Sequence, residues 1–433
     1  MKRETWLRAA YSGLFWLLLP FILLRLFWRG RREPRYRQHI GERFGFYRRP
    51  RQPKTLWVHA VSVGEVRAAE PLVKALLLAY PNESILLTCM TPTGRATATS
   101  LFDARVIIAY LPYDLPGAIK RLFVHFRPRV LLVMETEIWF NLLRVCRSHG
   151  VPAMLVNARL SARSQQGYAR FAAVRALARE ALASFTVVAA QSGADAERLA
   201  SLGARSPVVT GNIKFDMAPA PALIELGRHW RETLLNQQPG RRVLLAASTR
   251  EGEEVPLLAA YQTVFADSLD RVLLVIVPRH PPRFDEVYAL IQQSGLSVAR
   301  RSQSAVAQVG CQVWLGDSMG EMAAYYTFCD VALIGGSFAP LGGQNLIEAC
   351  AVGAPVIVGP HTFNFSEAVR LAQQSGALSQ VAGIETAMQA ARRLLENEGE
   401  RQRMATAAID FAKAHQGATR KTMALIANLR DGE

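Results

Sequence analysis

From residue 55 onward, short apolar runs alternate with longer stretches whose apolar positions recur every three or four residues. TLWVHA (55–60), SILLTC (84–89), RVIIAY (105–110), RVLLVME (129–135), PAMLVNA (152–158) and TVVAAQ (186–191) read as strands buried on both faces. Amphipathic helical patterns lie between them. The stretch GNIKFDMAPAPAL (211–223), rich in proline and alanine, reads as a connection. The alternation then restarts with RVLLAAS (242–248), RVLLVIVP (271–278), QVWLG (312–316), VALIGGS (331–337) and PVIVGP (355–360), and a last long helical stretch runs from about Glu400 to the end. This pattern predicts an α/β chain with two Rossmann-like, doubly wound parallel-sheet domains, 55–217 and 218–433. Such a pair is expected to bind ligands in a cleft between the carboxyl ends of its sheets.

The first 54 residues differ. The run from Gly13 to Leu24 is apolar throughout, apart from its glycine and Pro20, and Trp6, Tyr11, Trp16, Phe27 and Trp28 flank or punctuate it. Arginines follow it (Arg25, Arg29, Arg31, Arg32, Arg35, Arg37) in place of a small-residue cleavage site. An uncleaved membrane-anchor helix is expected, with the rest of the chain on the cytoplasmic side. Whether it spans or lies in one leaflet is left open by its length. Residues 1–54 carry 14 Lys and Arg against 3 acidic residues, so most of the net charge of +16 is local to this segment. That asymmetry argues against a nucleic-acid enzyme with a basic groove through its core and suits an anionic lipid surface. The five cysteines are scattered without C-x-x-C spacing, which predicts reduced thiols and neither disulfides nor a zinc site.

Candidate chemistry collects where strands hand over to helices. After TLWVHA comes Ser62-Val63-Gly64-Glu65, a formal S-x-x-E capping box. Glu65 therefore has two readings, a helix cap or a general base whose charged form the helix start favours. His59 lies inside the apolar strand and reads as a core residue. In the second half, GGSFAPLGGQNLIEA (335–349) ends a strand in Gly335, Gly336 and Ser337, loops through Gly342 and Gly343, and is predicted to begin a helix near Gln344. Glycines before a helix expose backbone N–H groups to a phosphate. Asn345 and Glu348 fall three apart, and a carboxylate there can accept hydrogen bonds from ribose hydroxyls. VPRHPPRF (277–284) leaves Arg279 at a strand end, where it can pair with a phosphate or a carboxylate. GDSMGEM (316–322) is a third such turn. No P-loop or early G-x-G-x-x-G occurs, which disfavours P-loop NTPases and nicotinamide enzymes. No histidine–acid cluster has metal spacing, and the pair Glu135 and Glu137 is weak as a cation site.

HAVSVGE (59–65), METEIW (134–139), GNIKFD (211–216), RHPPRF (279–284), GDSMGEM (316–322), GGQNLIEA (342–349) and GPHTFNF (359–365) together resemble the 3-deoxy-D-manno-octulosonic acid (Kdo) transferase family. The resemblance runs through both halves in the family's order. It implies a GT-B glycosyltransferase fold and inverting transfer of Kdo from CMP-Kdo to a lipid A precursor (lipid IVA) in lipopolysaccharide core biosynthesis. It places that reaction at the cytoplasmic face of the bacterial inner membrane. It implies Glu65 as general base, and Glu135 and Lys214 as groups that stabilise the transition state. It assigns CMP to Pro278 and Arg279, to Met319, Gly320 and Glu321, and to Asn345, Leu346, Ile347 and Glu348. The glycine turn adds Gly336 and Ser337 to the expected donor site. No cofactor and no metal are expected, because cationic side chains and a helix N-terminus can stabilise departing CMP. The chain departs from the family's usual pattern at Gln344, where histidine is common, at Arg250 within a THEGEE-like stretch, and at Phe140, where proline is common. Two other readings stand beside this one: a GT-B transferase using a UDP-sugar, and a membrane-tethered nucleotide-binding adaptor.

Overall fold

The computed structural model describes residues 2–48, 54–102 and 104–431. Arg49 and Arg51 of the basic segment, with Met1, Gly432 and Glu433, lie outside the described residues. The chain divides into two compact units, residues 1–217 with 416–433, and 218–415.

The first unit is built on strands β1 (Thr55–His59), β2 (Ser84–Cys89), β3 (Val106–Tyr110), β4 (Pro128–Met134), β5 (Ala153–Ala158), β6 (Val187–Ala190) and β7 (Val208–Val209). They form one parallel sheet in the order β3-β2-β1-β4-β5-β6-β7. Their apolar runs are continuous because both faces are covered. Trp57, Leu131 and Val133 enter one core layer, while their neighbours Leu56, Val58, Val130 and Leu132 enter the other. β7 was not visible in the sequence because it is two half-exposed valines at the sheet edge.

The segment 1–54, expected to stand apart, is largely part of this unit. One helix, Lys2–Arg32, lies against it. Phe15, Leu19, Ile22 and Leu23 pack against Tyr113, Leu115 and Ala118. Tyr11 donates to the buried Asp114 at 3.0 Å, and Ser12 accepts from Asn141 at 3.1 Å. The outward side presents Leu14, Trp16, Leu17, Leu18, Phe21, Leu24, Phe27 and Trp28. Further on, Glu42 pairs with Arg95 and accepts the Tyr110 N–H at 2.8 Å, tying the segment to the edge strand β3.

The second unit repeats the plan with β8 (Arg242–Thr249), β9 (Val272–Pro278), β10 (Val298–Arg300), β11 (Val313–Leu315), β12 (Val331–Ile334), β13 (Val356–Val358) and β14 (Leu378–Gln380). These strands are also all parallel, in the order β10-β11-β9-β8-β12-β13-β14. The domain expected to run from 218 to 433 closes at His415. The long terminal stretch breaks into two helices, Glu398–Ala414 and Ala418–Asp431. The break is held by Asp216, whose carboxylate accepts the N–H groups of Gly417 and Thr419. Past it, Ala418 and Ile426 enter the core of the first unit, and Arg430 pairs with Glu83 at 2.8 Å.

Candidate active site

In each sheet the strand order reverses direction beside the first strand of the unit, between β1 and β4 and between β8 and β12. The turns leaving such a pair diverge and make a crevice at the carboxyl edge. Glu65 follows β1 and Glu135 follows β4 immediately, so topology alone brings these two carboxylates to one place.

Ser62 caps the helix Val63–Ala79, its hydroxyl accepting the Glu65 N–H. The Glu65 carboxylate turns back and accepts the N–H of Val61 at 2.6 Å, one residue before the donor that a capping box uses. The carboxylate therefore closes the helix start without taking up the Ser62 N–H. Burial, and then the charge of Glu135, push the Glu65 carboxyl up to about 8, while the Val61 N–H opposes the shift; Glu137 adds to it and Lys214 opposes it more weakly. A carboxyl so raised is a stronger base than an ordinary glutamate.

Glu135 is the opposite case. It is buried, and its backbone is left-handed with φ 56°, a conformation that costs a non-glycine residue about 1 kcal/mol or more. Lys214 Nζ lies 2.9 Å from one carboxylate oxygen and Arg159 Nε 3.0 Å from the other. Burial is the largest influence and raises its pKa, but Lys214 and Arg159 together hold it below the usual glutamate range. Lys214 sits on the short turn Ile213–Asp216. That turn is fixed from below: Asn212 accepts the Lys214 N–H at 3.0 Å, and the buried Asn157 accepts the Ile213 N–H at 3.0 Å. Arg159, Asn157 and Asn212 were missed in the sequence. Asn157 lies near the end of strand β5, the next strand along the carboxyl edge, and Arg159 directly follows that strand; this position was the available signal. His59 stays in the core as expected: its Nδ1 lies 2.9 Å from Thr88 Oγ1, and burial lowers its pKa to about 4.

In the second unit, the ends of β9, β11 and β12 and the segments that follow them carry the expected donor residues. Pro278 ends β9, buried, and the next N–H, of Arg279, bonds Thr249 O at the end of β8 at 3.0 Å. Arg279 Nε donates to the Gln344 amide oxygen at 3.2 Å, linking the β9 and β12 turns. Met319 is exposed and Gly320 follows in the turn after β11, whereas the Glu321 carboxylate is held by Arg301 at 2.9 Å and by Ser318. Gly335 is required by close approach, since a Cβ there would meet Ser248 O at 2.5 Å. The helix predicted near Gln344 begins at Ile347 and spans only Ile347–Ala351, because the Asn345 side chain accepts the Ile347 N–H at 3.1 Å and holds a turn instead. Asn345 Nδ2 donates to Glu348 at 3.0 Å, so these two side chains do meet.

Three expected donor residues face inward. Leu346 and Ile347 are core side chains, and the Ser337 hydroxyl is fully buried, donating to Ile334 O and accepting the Gly359 N–H at 2.8 Å. The N–H of Gly336 is directed into the fold as well, to the buried Glu253 at 2.8 Å. Glu253 also accepts from Arg250, Phe338 and Ala339. Nothing in the sequence pattern singles it out, as its four donors lie in two distant segments.

Residues 38–217 match the family model of 3-deoxy-D-manno-octulosonic-acid transferase (kdotransferase), and 257–411 match glycosyl transferases group 1. A 3-deoxy-D-manno-octulosonic acid transferase of Bordetella pertussis is 44% identical over 431 residues, covering 96% of this chain and 98% of the relative. One of Haemophilus influenzae is 36% identical over 424 residues, covering 97% and 98%. Among solved structures, UDP-GlcNAc 2-epimerase from Neisseria meningitidis aligns over 87% of this chain and 100% of its own with a TM-score of 0.59 at 18% identity. That likeness speaks for the fold, which is the two-domain GT-B-like arrangement of parallel sheets that was expected. Near-full-length similarity to named transferases, together with the family model over residues 38–217, makes this chain a member of the 3-deoxy-D-manno-octulosonic acid transferase family.

Proposed function

We propose that this Kdo transferase takes Kdo from CMP-Kdo and delivers it, with inversion, to a lipid A precursor. The observation that carries the chemical reading is the pairing of carboxylates at the first switch point, Glu65 raised to about 8 beside Glu135 held ionised by Lys214 and Arg159. Glu65 removes the proton from the acceptor hydroxyl. The resulting nucleophile attacks the anomeric carbon on the face opposite CMP, through an oxocarbenium-like state. Lys214 supplies positive charge as the bond to phosphate breaks, and Glu135 holds that lysine in place. Glu135 and Arg159 are otherwise a fixed electrostatic frame. On the donor side, Arg279 takes the phosphate and Glu348, oriented by Asn345, takes the ribose hydroxyls. Pro278 and the 319–321 turn shape the cytidine pocket.

We place the enzyme on the inner membrane, facing the cytoplasm. The helix Lys2–Arg32 is long and apolar enough to cross a bilayer. Its docking on the first unit through Phe15, Leu19, Ile22 and Leu23 favours the helix lying in one leaflet, outward apolar face down, with the following arginines at anionic headgroups. Changing Leu17, Phe21 and Leu24 together to serine should release the protein from anionic vesicles while preserving turnover on a soluble acceptor analogue. Incubating the enzyme with CMP-Kdo and lipid A precursor, followed by mass spectrometry, tests the whole reading. A product heavier by Kdo supports it. Unmodified precursor, or turnover only with a UDP-sugar, contradicts it.

A further inference from the structure

The two donor-side departures from the family pattern, Arg250 and Gln344, are neighbours in space. A Cβ built on Gly336 would lie 3.2 Å from the Gln344 amide nitrogen and 3.6 Å from Arg250 Cγ, so the two side chains flank the same glycine. Arg279 completes the group by donating to Gln344. These three residues belong to the turns after β8, β9 and β12, the strands that meet at the switch point of the second sheet. The Arg250 main chain is fixed there, its N–H bonded to Glu253 at 2.9 Å, and the same carboxylate holds the 336–339 turn.

The charges of three other arginines near this edge are absorbed by carboxylates. Arg283 is bound to the buried Glu254 and to Glu286, Arg300 to Asp317 and Asp285, and Arg301 to Glu321. Among the carboxylates of the described residues, the Arg250 guanidinium meets only that of its sequence neighbour Glu251, at 3.3 Å, and that glutamate side chain is 59% exposed. A pair of this kind is worth little and exchanges readily for a better anion. The positive field is felt locally: burial first, then Arg250 and Arg279, lower the pKa of His280.

We propose that Arg250 binds the carboxylate of the donor's sugar acid, dividing the work with Arg279, which takes the phosphate. The inference rests on the reading of the second unit as the CMP-Kdo domain. A nucleotide-activated ulosonic acid brings two separate anions, and a planar guanidinium is suited to the bidentate recognition a carboxylate offers.

The test compares full-length wild type with Arg250→Ala and Arg250→Lys, measuring CMP affinity by calorimetry and KM for CMP-Kdo. CMP has the phosphate but no sugar carboxylate. Arg250→Ala should raise KM for CMP-Kdo about ten- to a hundredfold and leave CMP affinity within about twofold, with Arg250→Lys between. Equal losses for both ligands would put Arg250 on the phosphate and overturn the assignment. No change for either would make Arg250 a solvated surface charge and overturn it too. Wild type that binds no CMP would overturn the donor-domain reading itself, a different failure visible before any variant is made.

Discussion

The two sheets share one plan and carry opposite chemistry at equivalent points. β1 flanked by β2 and β4 corresponds to β8 flanked by β9 and β12. In the first unit a left-handed glutamate, Glu135, follows the fourth strand directly; in the second, Gly335 and the left-handed Gly336 stand there. A glycine makes that bend at little cost, and its N–H is paired internally with Glu253. A glutamate accepts strain and burial, and needs Lys214 and Arg159 to hold it. The first crevice thus collects acids (Glu65, Glu135, Glu137) with Lys214 and Arg159 on Glu135, and the second collects Arg250, Arg279 and His280. The fold brings strand ends together. The side chains at those ends decide whether the place collects acids or cations.

The contrast breaks most visibly at Lys214. Lys214→Met should cut turnover roughly 10²–10³-fold, the usual loss on removing one preorganised stabilising group. CMP affinity should fall far less than turnover, because Arg279 and Glu348 are expected to carry most of the CMP binding. Turnover within a few-fold of wild type would reduce Lys214 to a structural partner of Glu135. Glu348→Ala should do the reverse: CMP affinity falls by about 1.5–3 kcal/mol with loss of hydrogen bonds to a charged group, read by calorimetry. Unchanged affinity would remove Glu348 from the donor site.

The smallest effect is on stability. The folded-state pKa of Glu65, about 8, lies above the ordinary value of 4.5. The folded protein therefore holds this proton more tightly than the unfolded chain. As pH rises from 4.5 to 8, ionisation of Glu65 on unfolding favours the unfolded chain, so wild-type stability drops through that window. Glutamine does not titrate and keeps an oxygen for the Val61 N–H. Glu65→Gln should melt higher than wild type, with a gap that widens from pH 5 to pH 8, by about 2–4 °C for each kcal/mol gained. A constant gap, or a less stable variant at every pH, would contradict the burial of that carboxyl.

Much of this was legible in the sequence, for physical reasons that also explain the omissions. The central strands are apolar on both faces, so their runs were plain and their ends, where Glu65, Glu135 and Arg279 sit, followed. The outer strands β7, β10 and β14 have two or three residues each and leave no such run. Asn345 delayed a helix by bonding Ile347 N–H, a local competition that periodicity does not register. The return of Ala418–Asp431 to the first unit depends on Asp216, some two hundred positions earlier, and Arg159 acquires its role only across the sheet from Glu135. Glu65 is instructive in another way: its capping reading holds, since the carboxylate helps close the helix start, and the same burial that seats it there raises its pKa.

The most direct test is the pH dependence of kcat/KM for wild type and Glu65→Gln, with CMP-Kdo and lipid A precursor. A base must be deprotonated to act, and kcat/KM reports the free enzyme. With Glu65 as base, the wild-type value climbs about tenfold per pH unit and levels near pH 8. Glu65→Gln still binds CMP, loses roughly 10²–10⁴-fold in turnover and shows no such climb. A variant that keeps near-normal turnover, or the same rising limb, would contradict the assignment and leave Glu65 as a helix cap.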